Sequence, residues 1–181
     1  MKVEVTKIKD LFLISPSIFK DKRGYFFESF NKNKFEELTN IKTNFVQDNQ
    51  SLSSKGVLRG LHFQNPPNAQ SKLVRVIKGS VIDVAVDIRN NSPTYGNFIM
   101  KELNEENHLM MYLPEGIAHG FITLEDNTIF SYKCSNYYSK ESEDSILWND
   151  PEIGINWPDI EPIISKKDKS AKNFTSFVSP F

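Results

Sequence analysis

The sequence lacks several things that would point to familiar classes of protein. Its only cysteine is Cys134, so no disulfide can form within the chain, and that fits a reducing compartment. Lys and Arg number 22 against 23 Asp and Glu, a net charge of -1. No basic excess of the kind nucleic-acid binders carry is therefore expected. No apolar run approaches the roughly 20 residues of a membrane span. The segment Met1–Asp10 alternates charged and apolar residues and has no signal-peptide core. The expectation is a soluble cytoplasmic protein with no nucleic-acid and no membrane partner. Helical periodicity is also scarce, and only Asn31–Leu38 predicts a helix, a short one. Histidine is limited to His62, His108 and His119, so imidazole chemistry has few possible seats.

What the chain does have is β-forming residues. Apolar residues make up 39% of its 181 positions and Phe alone occurs 14 times, enough for a sizeable core. The length suits a single domain over residues 1–181, with N-terminal strands and a C-terminal tail as extensions. Short β-rich runs bounded by Gly, Pro, Asn and Ser predict strands. These fall at Val3–Ile8, Gly24–Phe30, Phe45–Ser51, Val57–Phe63, Lys72–Ile77, Ser80–Ile88, Asn97–Leu103, Leu109–Leu113, His119–Leu124 and Thr128–Cys134. Strands without alternating helices predict an all-β antiparallel sandwich or barrel. The tail from Asn149 onward has little periodicity and is expected to wrap the body.

Lys78-Gly79 sits between two strand-like runs and reads as a two-residue hairpin turn. That turn would pair Ile77 with Ser80 and Val74 with Asp83. One face then carries Lys72, Val74, Val76, Val81, Asp83, Ala85 and Asp87. The other carries Leu73, Arg75, Ile77, Ile82, Val84, Val86 and Ile88, and reads as core apart from Arg75. Lys72 would stand diagonal to Asp83, within reach of a long side chain. Charges among Val and Ala suit either a polar-lined cavity or a solvated outer face.

Two histidines lie in patterned surroundings. His62 ends the stretch Gly56-Val-Leu-Arg-Gly-Leu-His before Phe63 and Gln64, and Lys72 precedes Gly79 by seven positions. His119 lies in Pro114-Glu-Gly-Ile-Ala-His. These stretches resemble the two signature motifs of the cupin superfamily, which implies an antiparallel β-jelly-roll barrel with a few short helices. A metal cupin holds its ion with three His and one Glu. Here Gln64 stands at a His position and Lys72 at the Glu position. A protonated Lys carries only donors, and two histidines make a poor transition-metal site. No metal and no other cofactor is expected.

One family within the cupins matches nearly the whole chain. The segments are Phe19–Glu28, Gln47–Ser51, Gly56–Gln64 with Pro66 and Pro67, Lys72–Val76, Asp83–Arg89, Ser92–Thr94, Trp148–Pro151, Ile155–Trp157 and Ser165–Asp168. In their order and spacing they resemble the dTDP-4-dehydrorhamnose 3,5-epimerase family. The resemblance implies epimerisation at carbons 3 and 5 of dTDP-4-dehydro-6-deoxy-D-glucose, with inversion at carbon 3 alone or ketoisomerisation as the alternatives. It also implies a homodimer that exchanges N-terminal strands.

The chemistry needs such residues. A hydrogen next to a ketone is a weak acid, so its removal calls for a base of near-neutral pKa and a donor for the enolate oxygen. Imidazole, with an ordinary pKa of about 6.5, suits the base. A carboxylate on its other nitrogen fixes the tautomer. The resemblance gives these parts to His62 and Asp168, the oxyanion to Lys72, and the opposed acid to Tyr132. Asp83 would keep Lys72 charged and aimed. Without the resemblance Asp168 reads as solvated tail, and the alternation of Tyr132 with Phe130 and Cys134 also suits a core position. Arg23 and Arg59 are implied for phosphate, where Arg gives bidentate contacts. Glu28, Gln47, Asn49, His119, Glu143 and Lys169 are implied for other polar contacts, and Tyr138 for packing on the sugar or nucleoside. Arg59 and His62 have opposite parity on a regular strand, and Gly60 between them predicts a bulge that lets both face one cavity. His108 has no motif around it and reads as surface. Two rival classes are a non-catalytic sugar-nucleotide binding module and a metal cupin.

Overall fold

The computed structural model describes residues 1–181. Fourteen strands run in chain order: β1 (Lys2–Val5), β2 (Phe12–Ser15), β3 (Phe19–Asp21), β4 (Gly24–Phe26), β5 (Gln47–Ser53), β6 (Val57–Gln64), β7 (Lys72–Lys78), β8 (Ser80–Asp87), β9 (Phe98–Asn104), β10 (Met110–Leu113), β11 (Ile117–Thr123), β12 (Thr128–Cys134), β13 (Glu143–Ser145) and β14 (Ile163–Ile164). Two helices interrupt them, α1 (Lys32–Thr39) and the single turn α2 (Lys166–Lys169). The first sheet has the order β1-β2-β10-β7-β12-β5, and the second β13-β6-β11-β8-β9, with β14 parallel to β6 at its edge. This is an antiparallel two-sheet jelly roll, as the cupin resemblance implies. No helix is long and apolar enough to cross a membrane.

The alternation of each strand sorts its side chains into layers. Between the sheets lie Leu13, Val74, Val76, Met111, Leu113 and Phe130 of the first, against Val81, Ala85, Leu103, Ile117 and Phe121 of the second. Phe121 and Phe130 stack across the gap with centroids 4.1 Å apart. The outer face of the second sheet is covered by the tail, where Ile146, Ile153 and Phe177 pack on Leu61, Phe63, Val84, Val86 and Ile88. The outer face of the first sheet is covered at one end by Phe35 of α1, packed on Phe12, Leu73 and Tyr112. Asn31 caps α1 by accepting from Lys34 N, and Asn40 ends it in the left-handed region.

The hairpin expected at Lys78-Gly79 does not form. Strand β7 pairs with β10 and β12, and β8 pairs with β11 and β9. At Gly79 the chain turns the corner from one sheet to the other. Its φ is +79°, and a Cβ there would come within 2.5 Å of Thr128, so only glycine fits. The sorting into faces survives because a corner keeps the inner side inward. Val74, Val76, Val81, Asp83 and Ala85 all point between the sheets, and the polar-lined cavity is the correct alternative. The face read as core is divided. Its β8 part lies under the tail, while Ile77 is 38% exposed and Arg75 sits over the Phe27 ring.

Other expectations also shift. The run Gly24–Phe30 is a strand only to Phe26 and forms a separate hairpin with β3. Strand β2 was not expected, and Val3–Ile8 is strand only to Val5. His108 is not a surface residue. It is 8% exposed, packed between Tyr25 and Phe27 at centroid distances of 4.8 and 5.0 Å.

Candidate active site

The site is built on a defect in one ladder. Strand β6 carries both Arg59 and His62, and β11 opposes them with Phe121 and His119. Between these pairs two residues of β6, Gly60 and Leu61, oppose the single Gly120 of β11, so β6 bulges at Gly60. Gly60 has φ +143°, and a Cβ there would stand 2.5 Å from Gly120 Cα. Two glycines let the backbones approach, and the bulge turns Arg59 and His62 into the same cavity.

That cavity, of about 180 Å³, is lined by Arg59, His62, His119 and Phe121 from the second sheet, and by Ser51, Lys72, Phe130 and Tyr132 from the first. His62 Nε2 lies 2.7 Å from Asp168 Oδ1. The tail brings this carboxylate in on α2, where Ser165 Oγ accepts from Asp168 N at 3.1 Å. Burial opposes ionisation of Asp168, but hydrogen bonds from His62, Ser165 and the Gly60 backbone outweigh it and hold the carboxyl below its ordinary value. With Asp168 accepting from Nε2–H, the lone pair of His62 rests on Nδ1.

Lys72 comes from β7 on the facing wall, with its Nζ 6.0 Å from the centroid of the Tyr132 ring. It makes no hydrogen bond and no ion pair within the chain. Burial pushes its pKa down, against smaller opposing effects of Cys134, Glu143 and Asp83. Tyr132, on neighbouring β12, has its phenol pKa raised by burial, so it holds its proton at neutral pH. Asp83 makes no ion pair or hydrogen bond with Lys72, although its charge works to keep Lys72 protonated. Its Oδ2 lies 2.9 Å from His119 Nε2, and its buried Oδ1 has no partner. The two residues rise from opposite sheets, so the diagonal contact that a hairpin would allow is lost. The Asp83 carboxyl pKa is raised by burial despite the charges of His119 and Lys72.

The remaining expected residues divide into two groups. Gln47 and Asn49 sit beside the cavity on β5, with Gln47 Nε2 donating to Asn49 Oδ1 at 3.0 Å and Asn49 Nδ2 to Cys134 Sγ at 3.6 Å. Tyr138 N donates to Gln47 Oε1 at 3.0 Å, and Tyr138 Oη to Glu143 Oε2 at 2.9 Å. Arg59 touches only Ser53 Oγ, at 3.3 and 3.4 Å, which leaves its guanidinium available. Lys169 is exposed and unpaired beside Asp168. Arg23 and Glu28 stand apart. Arg23 is on the β3–β4 hairpin with its side chain 84% exposed, paired only to Asp21. Glu28, just after that hairpin, is held by Asn31 and Lys34. Neither lines the cavity of its own chain.

Sequence reasoning missed several contributors, Gln50 of the cavity lining among them. Ser51 presents a buried hydroxyl without a partner in the cavity wall. It follows Gln47 and Asn49 at the same parity, a signal that could have found it. Lys167 pairs with Glu143 and so ties α2 to β13. Phe121 and Phe130 form the apolar lining. Gln64, at a metal-ligand position of the cupin motif, instead bonds the backbone of Asn68, Tyr137 and Ser139. No three His, Cys, Asp or Glu side chains cluster as a metal set.

The arrangement sets the His62 imidazole and its carboxylate partner on one wall, and the Lys72 amine beside the Tyr132 phenol on the other. Comparisons with known proteins point to one family. The family model described as dTDP-4-dehydrorhamnose 3,5-epimerase matches residues 5–176. The enzyme of that name from Salmonella typhimurium is 54% identical over 172 residues, covering 94% of each chain. The crystal structure of a dTDP-6-deoxy-D-glucose-3,5-epimerase from Legionella pneumophila, in complex with dTDP-4-keto-L-rhamnose, is 47% identical with TM-score 0.94 over 98% of this chain and 94% of that one. A 3'-monoepimerase from Streptomyces bikiniensis in complex with dTDP-quinovose is more distant, at 33% identity and TM-score 0.89 over 94% of this chain and 86% of that one. The chain belongs to the dTDP-4-dehydrorhamnose 3,5-epimerase family.

Proposed function

We propose that the protein epimerises carbons 3 and 5 of dTDP-4-dehydro-6-deoxy-D-glucose to give dTDP-4-dehydro-L-rhamnose. The observation that carries this reading is the placement of His62–Asp168 on one wall of the cavity and of Lys72 and Tyr132 on the other. Nδ1 of His62 takes the proton from the carbon next to the ketone. The C–H electron pair moves into the ring and the carbonyl electrons onto the carbon-4 oxygen. The Lys72 ammonium stabilises that oxyanion, and Asp168 stabilises the imidazolium. Tyr132 then gives its proton to the opposite face of the same carbon. The imidazolium releases its proton to solvent and the phenolate regains one, so no net proton is consumed. The same groups serve the second carbon after the ring shifts. Arg59 faces the diphosphate, and Tyr138 with Glu143 faces the nucleoside.

The exposed hairpin carrying Arg23 suits a homodimer in which it completes the site of a second copy. The exposed rings of Phe19, Tyr25 and Phe26 on that hairpin are the apolar surface such docking would cover. We place the protein in the cytoplasm, where its nucleotide-linked substrate and its single thiol both fit.

The experiment is incubation with dTDP-4-dehydro-6-deoxy-D-glucose in deuterated water, followed by mass spectrometry. Two deuterons and an L-configured product are expected. One deuteron at carbon 3 would select the monoepimerase reading, which the neighbour from Streptomyces bikiniensis keeps in view. No deuteron would leave only binding.

A further inference from the structure

The β3–β4 hairpin has almost no anchorage of its own. Its two strands pair only with each other, and Phe19, Tyr25 and Phe26 are exposed. Along one side of β4 and just beyond it, however, Tyr25 and Phe27 stack at 5.9 Å, and His108 packs against both. The Arg75 guanidinium caps the Phe27 ring at 5.7 Å.

His108 belongs to the turn between β9 and β10, and that turn is braced. Asn104 Oδ1 accepts from the backbone N–H of Glu106 at 3.0 Å and of Asn107 at 2.7 Å. Asn107 Oδ1 in turn accepts from the N–H of Asn104 at 3.2 Å and of Leu109 at 2.9 Å. Between these two asparagines and β10, His108 takes φ +50°, a left-handed conformation that a free chain seldom holds. The turn therefore spends its bracing on presenting one ring to the hairpin. Burial, and the neighbouring charges of Lys20 and Arg75, disfavour protonation of that ring, so it packs as a neutral aromatic.

We infer that His108 is a positioning residue for substrate binding: clamped on Tyr25 and Phe27, it fixes the direction of the hairpin that carries Arg23. The inference rests on the reading of Arg23 as a diphosphate contact. His108 touches no substrate and moves no proton, so its loss should weaken binding and spare chemistry. Two aromatic contacts of this kind are together worth roughly a tenfold shift in an equilibrium.

The test uses the full-length protein in its native assembly. His108→Ala should raise KM about tenfold, with kcat and the rate of deuterium uptake at saturation within about twofold of wild type. His108→Phe should restore KM, since it keeps the ring and loses only the nitrogens. His108→Gln, of similar polarity without an aromatic face, should behave like His108→Ala and serves if the alanine variant folds poorly. Arg23→Ala separates the two readings. It should raise KM at least as much, and His108→Ala added to it should raise KM little further, because both act through one contact. An unchanged KM in His108→Ala and His108→Gln overturns the clamp, as does full additivity with Arg23→Ala. If His108→Ala raises KM while Arg23→Ala does not, the reading of Arg23 falls and takes with it the inference that rests on it.

Discussion

Lys72→Met should make the protein more stable and nearly inactive. Met keeps the unbranched length of Lys and adds no polar atom, so the packing of β7 is retained. What disappears is an ammonium group in the cavity wall that meets no hydrogen-bond acceptor and no ion-pair partner within the chain. Enclosing an unpaired ion costs several kcal/mol after relaxation. Part of this is offset by the negative ends of Glu143 and Asp83 nearby, which leaves a net gain of about 1–3 kcal/mol on removal. For a chain of this size each kcal/mol moves Tm by about 2–4 °C, so a rise of about 2–12 °C is expected in a calorimetric melt. The gain has a pH signature. Burial lowers the native pKa of Lys72 below its ordinary 10.5. Between those two values the unfolded chain binds more protons than the folded one, so wild-type stability recovers as pH rises. The advantage of Lys72→Met should therefore be full below the native pKa of Lys72 and shrink as pH rises from there toward 10.5. Deuterium uptake should fall about 10²–10³-fold, the usual loss of one oxyanion donor. A variant that melts below wild type would show the ammonium to be paired and structural, and one that retained most of its activity would remove Lys72 from the mechanism.

The other predictions concern the two walls and the bulge. His62→Asn should lower deuterium uptake at both carbons by about 10²–10⁴-fold with the fold intact; near-normal uptake at either carbon would require a second base. Tyr132→Phe should uncouple exchange from inversion, because His62 can return a deuteron to the face it came from while no acid serves the other. If this variant still yields inverted product at nearly the wild-type rate, the acid must be sought elsewhere, beginning with Tyr138. Gly60→Ala should destabilise the protein by more than about 2 kcal/mol and lower both substrate affinity and turnover, since its methyl would meet Gly120 Cα at 2.5 Å. A melting curve and kinetics matching wild type would show that the crossing of β6 and β11 is looser than described.

The sequence disclosed sides better than partners. Along β7 and β8, alternation identified which residues share a face, and these do line the interior. It could not say which strand lies alongside, because a corner and a hairpin leave the same period-2 pattern. Gly60 is the counterexample. A glycine between two residues of opposite parity had a local cause, and the bulge stands where it was expected. Asp168 was legible only through resemblance, because a single helical turn in a charged tail carries no periodic signal. His108 was misread because its burial is made by Tyr25 and Phe27, some eighty positions earlier, and no local pattern records such a contact.

The stacked Phe121–Phe130 pair has a consequence of its own. One ring hangs from the sheet that bears His62 and the other from the sheet that bears Tyr132, so together they act as a gauge block for the slot between the two. Stereochemical outcome then depends partly on thickness. Trimming either ring would let the walls settle, and the acid would reach a different depth around the sugar with every reacting group still in place. A descendant enzyme could acquire a new product through its filler alone, and a catalogue of its catalytic side chains would not reveal the change.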